Sequence, residues 1–163
     1  MPPACTVGPT PEDAVRDAVR RAARVGAAVA LHPGFDEAAM GAIWIRMVTS
    51  IAVRSSAPTS PATVAKLVAS ALTACVAYTT GSKILGWSLL VVLHAVPFAA
   101  LPAAVALNGA VNALLTYRLG TECVRRFANP RVDAHDVIAI GRAIVLVPSF
   151  GELGAVRRML AGG

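Results

Sequence analysis

Leu67-VASALTACVAYTTGSKILGWSLLVVLHAVPFAALPAAVALNGAVNALLT-Tyr117 is the stretch whose burial decides the fold. Lys83 is its only formally charged side chain and His94 its only other titratable base. Left in water, this much apolar chain would forfeit roughly 25 cal/mol for each Å² not buried, so it belongs in a protein core, an oligomer interface or a bilayer. A bilayer span takes about 20 predominantly apolar residues. Ile84 to Leu107 supplies 24, interrupted by Gly86, His94, Pro97 and Pro102, and the uncharged run from Leu67 to Ser82 supplies 16. Both are borderline spans.

The flanks of the stretch predict helices. Ser60 is a natural N-cap with Pro61 at the first helical position, where a missing N–H costs nothing. Val64, Leu67, Val68, Ala71, Leu72, Cys75 and Val76 then follow the i, i+3, i+4, i+7 spacing of one helical face. On the opposite face Ala65, Ala69, Thr73 and Ala77 recur every fourth residue, small enough for another helix backbone to approach closely. Further on, Ala104, Asn108, Asn112, Thr116 and Gly120 form a second small or polar stripe at i+4 spacing. Buried amides need partners, and the simpler reading is that Asn108 and Asn112 hydrogen-bond a neighbouring helix and fix its register. The sharper alternative is a polar lining for a pore or ligand.

Composition leans the same way. Hydrophobic residues make up 56% of the 163 and charged residues 15%, against roughly 45–50% and 25% in ordinary soluble domains. The net charge of +6 suits anionic lipid headgroups or an acidic partner. Its fifteen basic residues are scattered and not interleaved with aromatics, which argues against nucleic acid. Cys5, Cys75 and Cys123 are odd in number and lack C-x-x-C spacing, as expected of reduced cytosolic thiols. The N-terminal residues lack the charged and apolar regions of a secretory signal.

Ahead of the stretch, residues 1–9 read as a tail. Thr10 caps a helix with Pro11 at its first position and Glu12 and Asp13 in its first turn. Val15, Val19, Ala22, Gly26 and Val29 form its apolar stripe, and Arg16, Arg20 and Arg24 a basic ridge. His32-Pro33-Gly34 breaks the chain. Asp36 is then placed to cap a second helix, with Phe35 and Met40 as a hydrophobic staple and Met40, Ile43, Trp44, Met47, Val48 and Ile51 as its core face.

Gly81-Ser82-Lys83 and Gly86-Trp87 are turn residues that let the chain reverse, with Lys83 and Trp87 as anchors at the tip. Pro97 and Pro102 are expected to kink the path before a long helix from about Ala103 to Phe127, whose Arg118, Arg125 and Arg126 favour its C-terminus. Past Asn129-Pro130, Asp133 or Asp136 is placed to cap a helix over about Val137 to Val147, although its β-branched content leaves a strand open. Pro148 and Gly151 break it, and Leu153, Val156 and Leu160 suggest a last short amphipathic turn ending in Arg157 and Arg158.

His32-Pro33-Gly34-Phe35-Asp36, the Met47–Ala52 run, Ser60-Pro61-Ala62-Thr63-Val64 with Leu67, and Thr116-Tyr117-Arg118-Leu119-Gly120 followed by Phe127 resemble domain-of-unknown-function family 697, over roughly residues 15–128. The resemblance implies a helical protein, often assigned two membrane segments, that is fused behind a GTPase domain or encoded as a short separate chain. It implies no catalytic residue. The family's usual P-G-x-G centre is altered here to Pro97-Phe98-Ala99-Ala100, and no G-x-x-x-x-G-K-[ST] occurs, so the chain lacks the backbone N–H cradle that holds phosphate in an NTPase. A GTPase would act as a separate partner.

No G-x-S-x-G, H-E-x-x-H or Cys/His nucleophile spacing is present. Asp133-Ala134-His135-Asp136 is explained more simply by helix capping than by a metal, and His94 by a neutral core histidine than by a functional one.

The expectation is therefore an all-α, antiparallel bundle of about five to six helices. It has a tail at 1–9, a helical domain at 10–128 with a central apolar hairpin at 60–127, and a C-terminal helical extension at 129–163. Ala65, Ala69, Thr73 and Ala77, with Asn108, Asn112, Thr116 and Gly120, are the expected helix–helix interface. Arg16, Arg20, Arg24, Lys83 and Trp87 are the expected membrane or partner surface. Catalytic, cofactor and metal residues are expected to be none. The chain reads as a non-enzymatic interaction module, membrane-associated on the cytoplasmic side or self-assembling into a homo-oligomer, with anionic lipid or a separate GTPase as partner and no nucleic acid. The alternatives are an integral hairpin acting in pore formation or membrane remodelling, and a soluble cytoplasmic ring, cage or filament. A small-molecule pocket lined by His94, Asn108 and Asn112 is a weaker reading.

Overall fold

The computed structural model describes residues 9–29, 35–55, 60–73, 97–129, 134–144 and 149–162. Every regular element among them is helical, as the apolar periodicities require. In chain order these are α1 (Pro11–Val29), α2 (Phe35–Arg54), α3 (residues 61–73), α4 (Pro97–Phe127), α5 (Ala134–Ile144) and α6 (Phe150–Ala161). The chain is an all-α helical bundle.

Local chemistry sets the helix starts. The Thr10 hydroxyl accepts from the Asp13 N–H at 3.3 Å while the Asp13 carboxylate accepts from the Thr10 N–H at 2.8 Å, a reciprocal capping box with Pro11 between them. At α3 the Ser60 hydroxyl accepts from the Thr63 N–H at 3.1 Å, again ahead of a proline.

Three of the expected boundaries are corrected. α2 already includes Phe35 and Asp36, so Asp36 sits inside the first turn and does not precede it. α4 begins at Pro97, not near Ala103, and runs on through Pro102. Pro97 stands in the first turn, where no donor is needed, and Pro102 costs the second turn one intrahelical bond without ending the helix. α5 is a helix, not a strand, and covers Ala134–Ile144, three residues earlier than its β-branched run suggests. The tip residues Ala77, Gly81, Lys83, Trp87 and His94 lie outside the described residues.

The core sits where α1, α2 and α4 meet. Val15, Val19 and Ala22 of α1, Met40, Trp44, Met47, Val48 and Ile51 of α2, and Ala113, Leu115, Leu119, Cys123 and Phe127 of α4 are all buried. α1 packs most extensively on α4, and the two run antiparallel: Gly26 meets Asn112 and Val15 meets Gly120. α2 runs alongside α4 in the same sense, with Trp44 at Thr116 and Met47 at Gly120. α3 adds Val64, Leu67, Val68 and Ala71 to this core.

α5 and α6 fold back onto the same bundle. α5 contributes Ile140 and Ile144 and α6 contributes Val156. α6 is twelve residues long, not the short turn expected, because Ser149 and Glu152 form a second capping box that starts the helix ahead of Gly151. Gly162, at φ 89°, ends it in the left-handed conformation that favours glycine.

Candidate functional site

The small and polar stripe of α4 is turned inward. The Asn108 amide donates to the Gly26 carbonyl of α1 at 2.8 Å, and Asn112 is buried against the same glycine. Thr116 accepts from the Trp44 indole and donates to the Asn112 carbonyl. Gly120 lies where a Cβ would stand 2.8 Å from the Val15 methyls. All four residues thus face α1 and α2, and Asn108 holds register through a backbone carbonyl as buried amides commonly do.

The other small stripe points the opposite way. Ala65, Ala69 and Thr73 are exposed and form no helix–helix interface among the described residues, and the Thr73 hydroxyl turns back to the Ala69 carbonyl at 2.9 Å. α3 spends its branched side chains inward, which leaves its small ones and Lys66 outside.

Arg118 is the largest departure from the sequence expectation. It is not a solvated cation at a helix end: only 6% of it is exposed. Its guanidinium donates twice to Glu152, at 3.0 and 2.9 Å, and once to the Ile144 carbonyl at 3.1 Å, joining α4 to α5 and α6. The paired Arg118 guanidinium holds the Glu152 carboxyl below its ordinary range, helped by the Ser149 N–H and hydroxyl and opposed by partial burial. Ser149-x-x-Glu152 is the sequence signal that locates this helix start. Nothing local in the sequence marks Arg118 as its partner.

The α1 ridge is partly engaged. Arg16 pairs with Asp13, Arg20 donates to the Met159 carbonyl in the last turn of α6 at 2.8 Å, and Arg24 is exposed. Across α1 from this ridge a cleft of about 350 Å³ opens toward α2, with Arg21, Arg46, Arg54 and Asp17 on its rim and Ile43 and Met47 on its floor. Three guanidiniums against one carboxylate suit an anion. Arg54 is also tied across the cleft to the Thr10 carbonyl at 2.7 Å.

Apolar side chains are exposed on several outer faces. α2 turns Ile45, Thr49 and Val53 to solvent, Val53 at 75% exposure. α6 exposes Phe150 at 94%, Leu153 at 45% and Leu160 at 43%. No helix among the described residues is long and apolar enough to cross a membrane. Among them no group of three or more His, Cys, Asp or Glu side chains could hold a metal. Asp136 is ion-paired with Arg126, while Asp133 and the His135 side chain lie outside the described residues. No known family profile, curated protein or solved structure matches the chain.

Proposed function

We propose that this chain is a non-enzymatic helical interaction module that works at the cytoplasmic face of a membrane or by self-association. The observation that supports it best is the pair of exposed stripes on the outer faces of α2 and α3, Ile45, Thr49 and Val53, and Ala65, Ala69 and Thr73, which carry no charge themselves and have Arg46 and Lys66 at their edges. A solvated helix face is ordinarily rich in charge, and uncharged apolar patches mark contact surfaces. The resemblance to family 697 adds a separate GTPase as a candidate partner.

Peripheral docking or self-association is favoured over a spanning hairpin between 67 and 117. Leu67, Val68, Ala71, Ala113 and Leu115, which a span would give to lipid, are buried against other helices. Flotation with vesicles, a carbonate wash of the bound fraction, and detergent-free light scattering test the reading together. Material released by carbonate, or an oligomer in solution, is the expected result. A monodisperse monomer that binds no vesicle overturns the proposal, and carbonate resistance replaces it with the integral hairpin.

A further inference from the structure

α6 has two faces of different chemistry. Glu152, Ala155, Val156 and Met159 point toward the bundle, where Val156 is buried and Glu152 is taken by Arg118. Phe150, Leu153, Arg157 and Leu160 follow one another at i+3, i+4 and i+3 along the outer side and are all exposed. Arg158 flanks them, its guanidinium lying over Gly154. Glu152 is the only acid of the helix, and it is on the inner side. The unpaired charge on α6 is therefore positive: Glu152 is held by Arg118, and neither Arg157 nor Arg158 has an ion-pair partner among the described residues.

We propose that the outer face of α6 docks the chain on an anionic lipid surface. Phe150, Leu153 and Leu160 enter the acyl boundary, and Arg157 and Arg158 reach the phosphates. This rests on the membrane form of the function proposed above and assigns it to one helix. An apolar stripe edged by arginine is the composition of a helix that lies in a membrane interface, and the aliphatic stem of Arg157 extends the stripe while its head stays at headgroup level. A helix of twelve residues is roughly 18 Å long, short of the roughly 30 Å hydrocarbon core, so it lies along the surface. It is already formed: the Ser149–Glu152 box, the Arg118 pair and the Arg20 bond to the Met159 carbonyl fix it, so binding costs little ordering. Lipid is favoured over a second copy by charge. Pairing two α6 faces about a two-fold axis would set Arg157 and Arg158 against their own copies with no acid between them.

The test uses the full chain with phosphatidylcholine vesicles, alone and with phosphatidylserine added. Partitioning is measured by flotation, and circular dichroism confirms that each variant is folded. Wild type is expected to bind only the phosphatidylserine vesicles. Arg157→Gln with Arg158→Gln should weaken binding about 25-fold, roughly fivefold for each charge, whereas Thr121→Glu with Ala128→Glu, an equal change in net charge at the exposed end of α4, should cost less than about threefold. Phe150→Ser with Leu153→Ser should weaken it at least about tenfold. As an insertion readout, the indole introduced by Phe150→Trp should shift to the blue on these vesicles and be quenched by brominated acyl chains. If wild type binds and the α6 variants bind equally well, this assignment is overturned while the membrane reading stands. If wild type binds no vesicle, both fall.

Discussion

The indole N–H of Trp44 donates a 2.9 Å hydrogen bond to the hydroxyl of Thr116, which itself donates to the Asn112 carbonyl at 2.7 Å. The bond crosses from α2 to α4 in the buried core and is the polar pin of that interface. Thr116→Val keeps the shape but strands the indole donor, and it is expected to lower stability by about 1–3 kcal/mol in urea unfolding. Trp44→Phe leaves Thr116 bonded to Asn112, so its loss should come from the unfilled volume and not from an orphaned polar group. A Thr116→Val protein as stable as wild type would show that the pin carries nothing.

The close approach of α1 to α4 is expected to be intolerant of added methyls. A Cβ at Gly109 would stand 2.8 Å from the Ala23 carbonyl oxygen, a backbone atom that cannot step aside. Gly109→Ala should therefore destabilise by about 1–3 kcal/mol in thermal unfolding. Gly154 is the counter-case: its nearest neighbour is the tip of Arg158 at 3.6 Å, so Gly154→Ala should stabilise by about 0.5–1 kcal/mol through helix propensity alone.

Acid should loosen the fold through its carboxylates. Glu152 is held below its ordinary 4.5 chiefly by Arg118. Glu122 is also held below 4.5: burial opposes this, and the bonds from Arg125 and Arg126 outweigh it. Asp13 is held below 3.8 by the Thr10 N–H and hydroxyl. Because these folded values are depressed, their stabilisation is complete above the unfolded values and is lost as pH falls through the folded ones. The melting temperature should thus be flat above about pH 5 and drop on acidification below about 4. Glu152→Gln should lower the plateau and flatten part of the acid limb, because Arg118 then faces α6 without a charge.

Cys123 offers a probe of global opening. It is fully buried, and burial pushes its thiol well above the ordinary range. In a Cys5→Ser, Cys75→Ser protein its alkylation is expected to be blocked in the native state and to follow the unfolding equilibrium as urea rises. Labelling at native rates in buffer would contradict this.

How far the fold is legible in the chain depends on whether the signal is local. The stripes of α1 and α2 and the caps at Thr10 and Ser60 are local, and each stands where periodicity and capping rules put it. Prolines mislead in one direction: Pro97 and Pro102 look like a break, yet a proline in an early turn removes little, so α4 keeps six residues that the sequence reading assigns to a kink. The capping box at Ser149 and Glu152 is written in the sequence but masked by Pro148 and Gly151 on either side. Arg118 is illegible for a different reason. Its neighbours in sequence are those of a helix-end cation, and only the return of α5 and α6 supplies the carbonyl of Ile144 and the carboxylate of Glu152. On α3 the periodicity identifies the buried face, but a small-residue stripe reads the same whether it meets another helix or solvent.

The pairing of Val15 with Gly120 and of Gly26 with Asn112 also bears on how the protein is made. During synthesis α1 docks on a helix that emerges roughly a hundred residues later, a delay of about 5–20 s at ordinary translation speeds. Through that interval Val15, Val19 and Ala22 have no α4 to settle on, so the nascent chain is at its stickiest before α4 is complete, and slower synthesis lengthens the time it must be kept single.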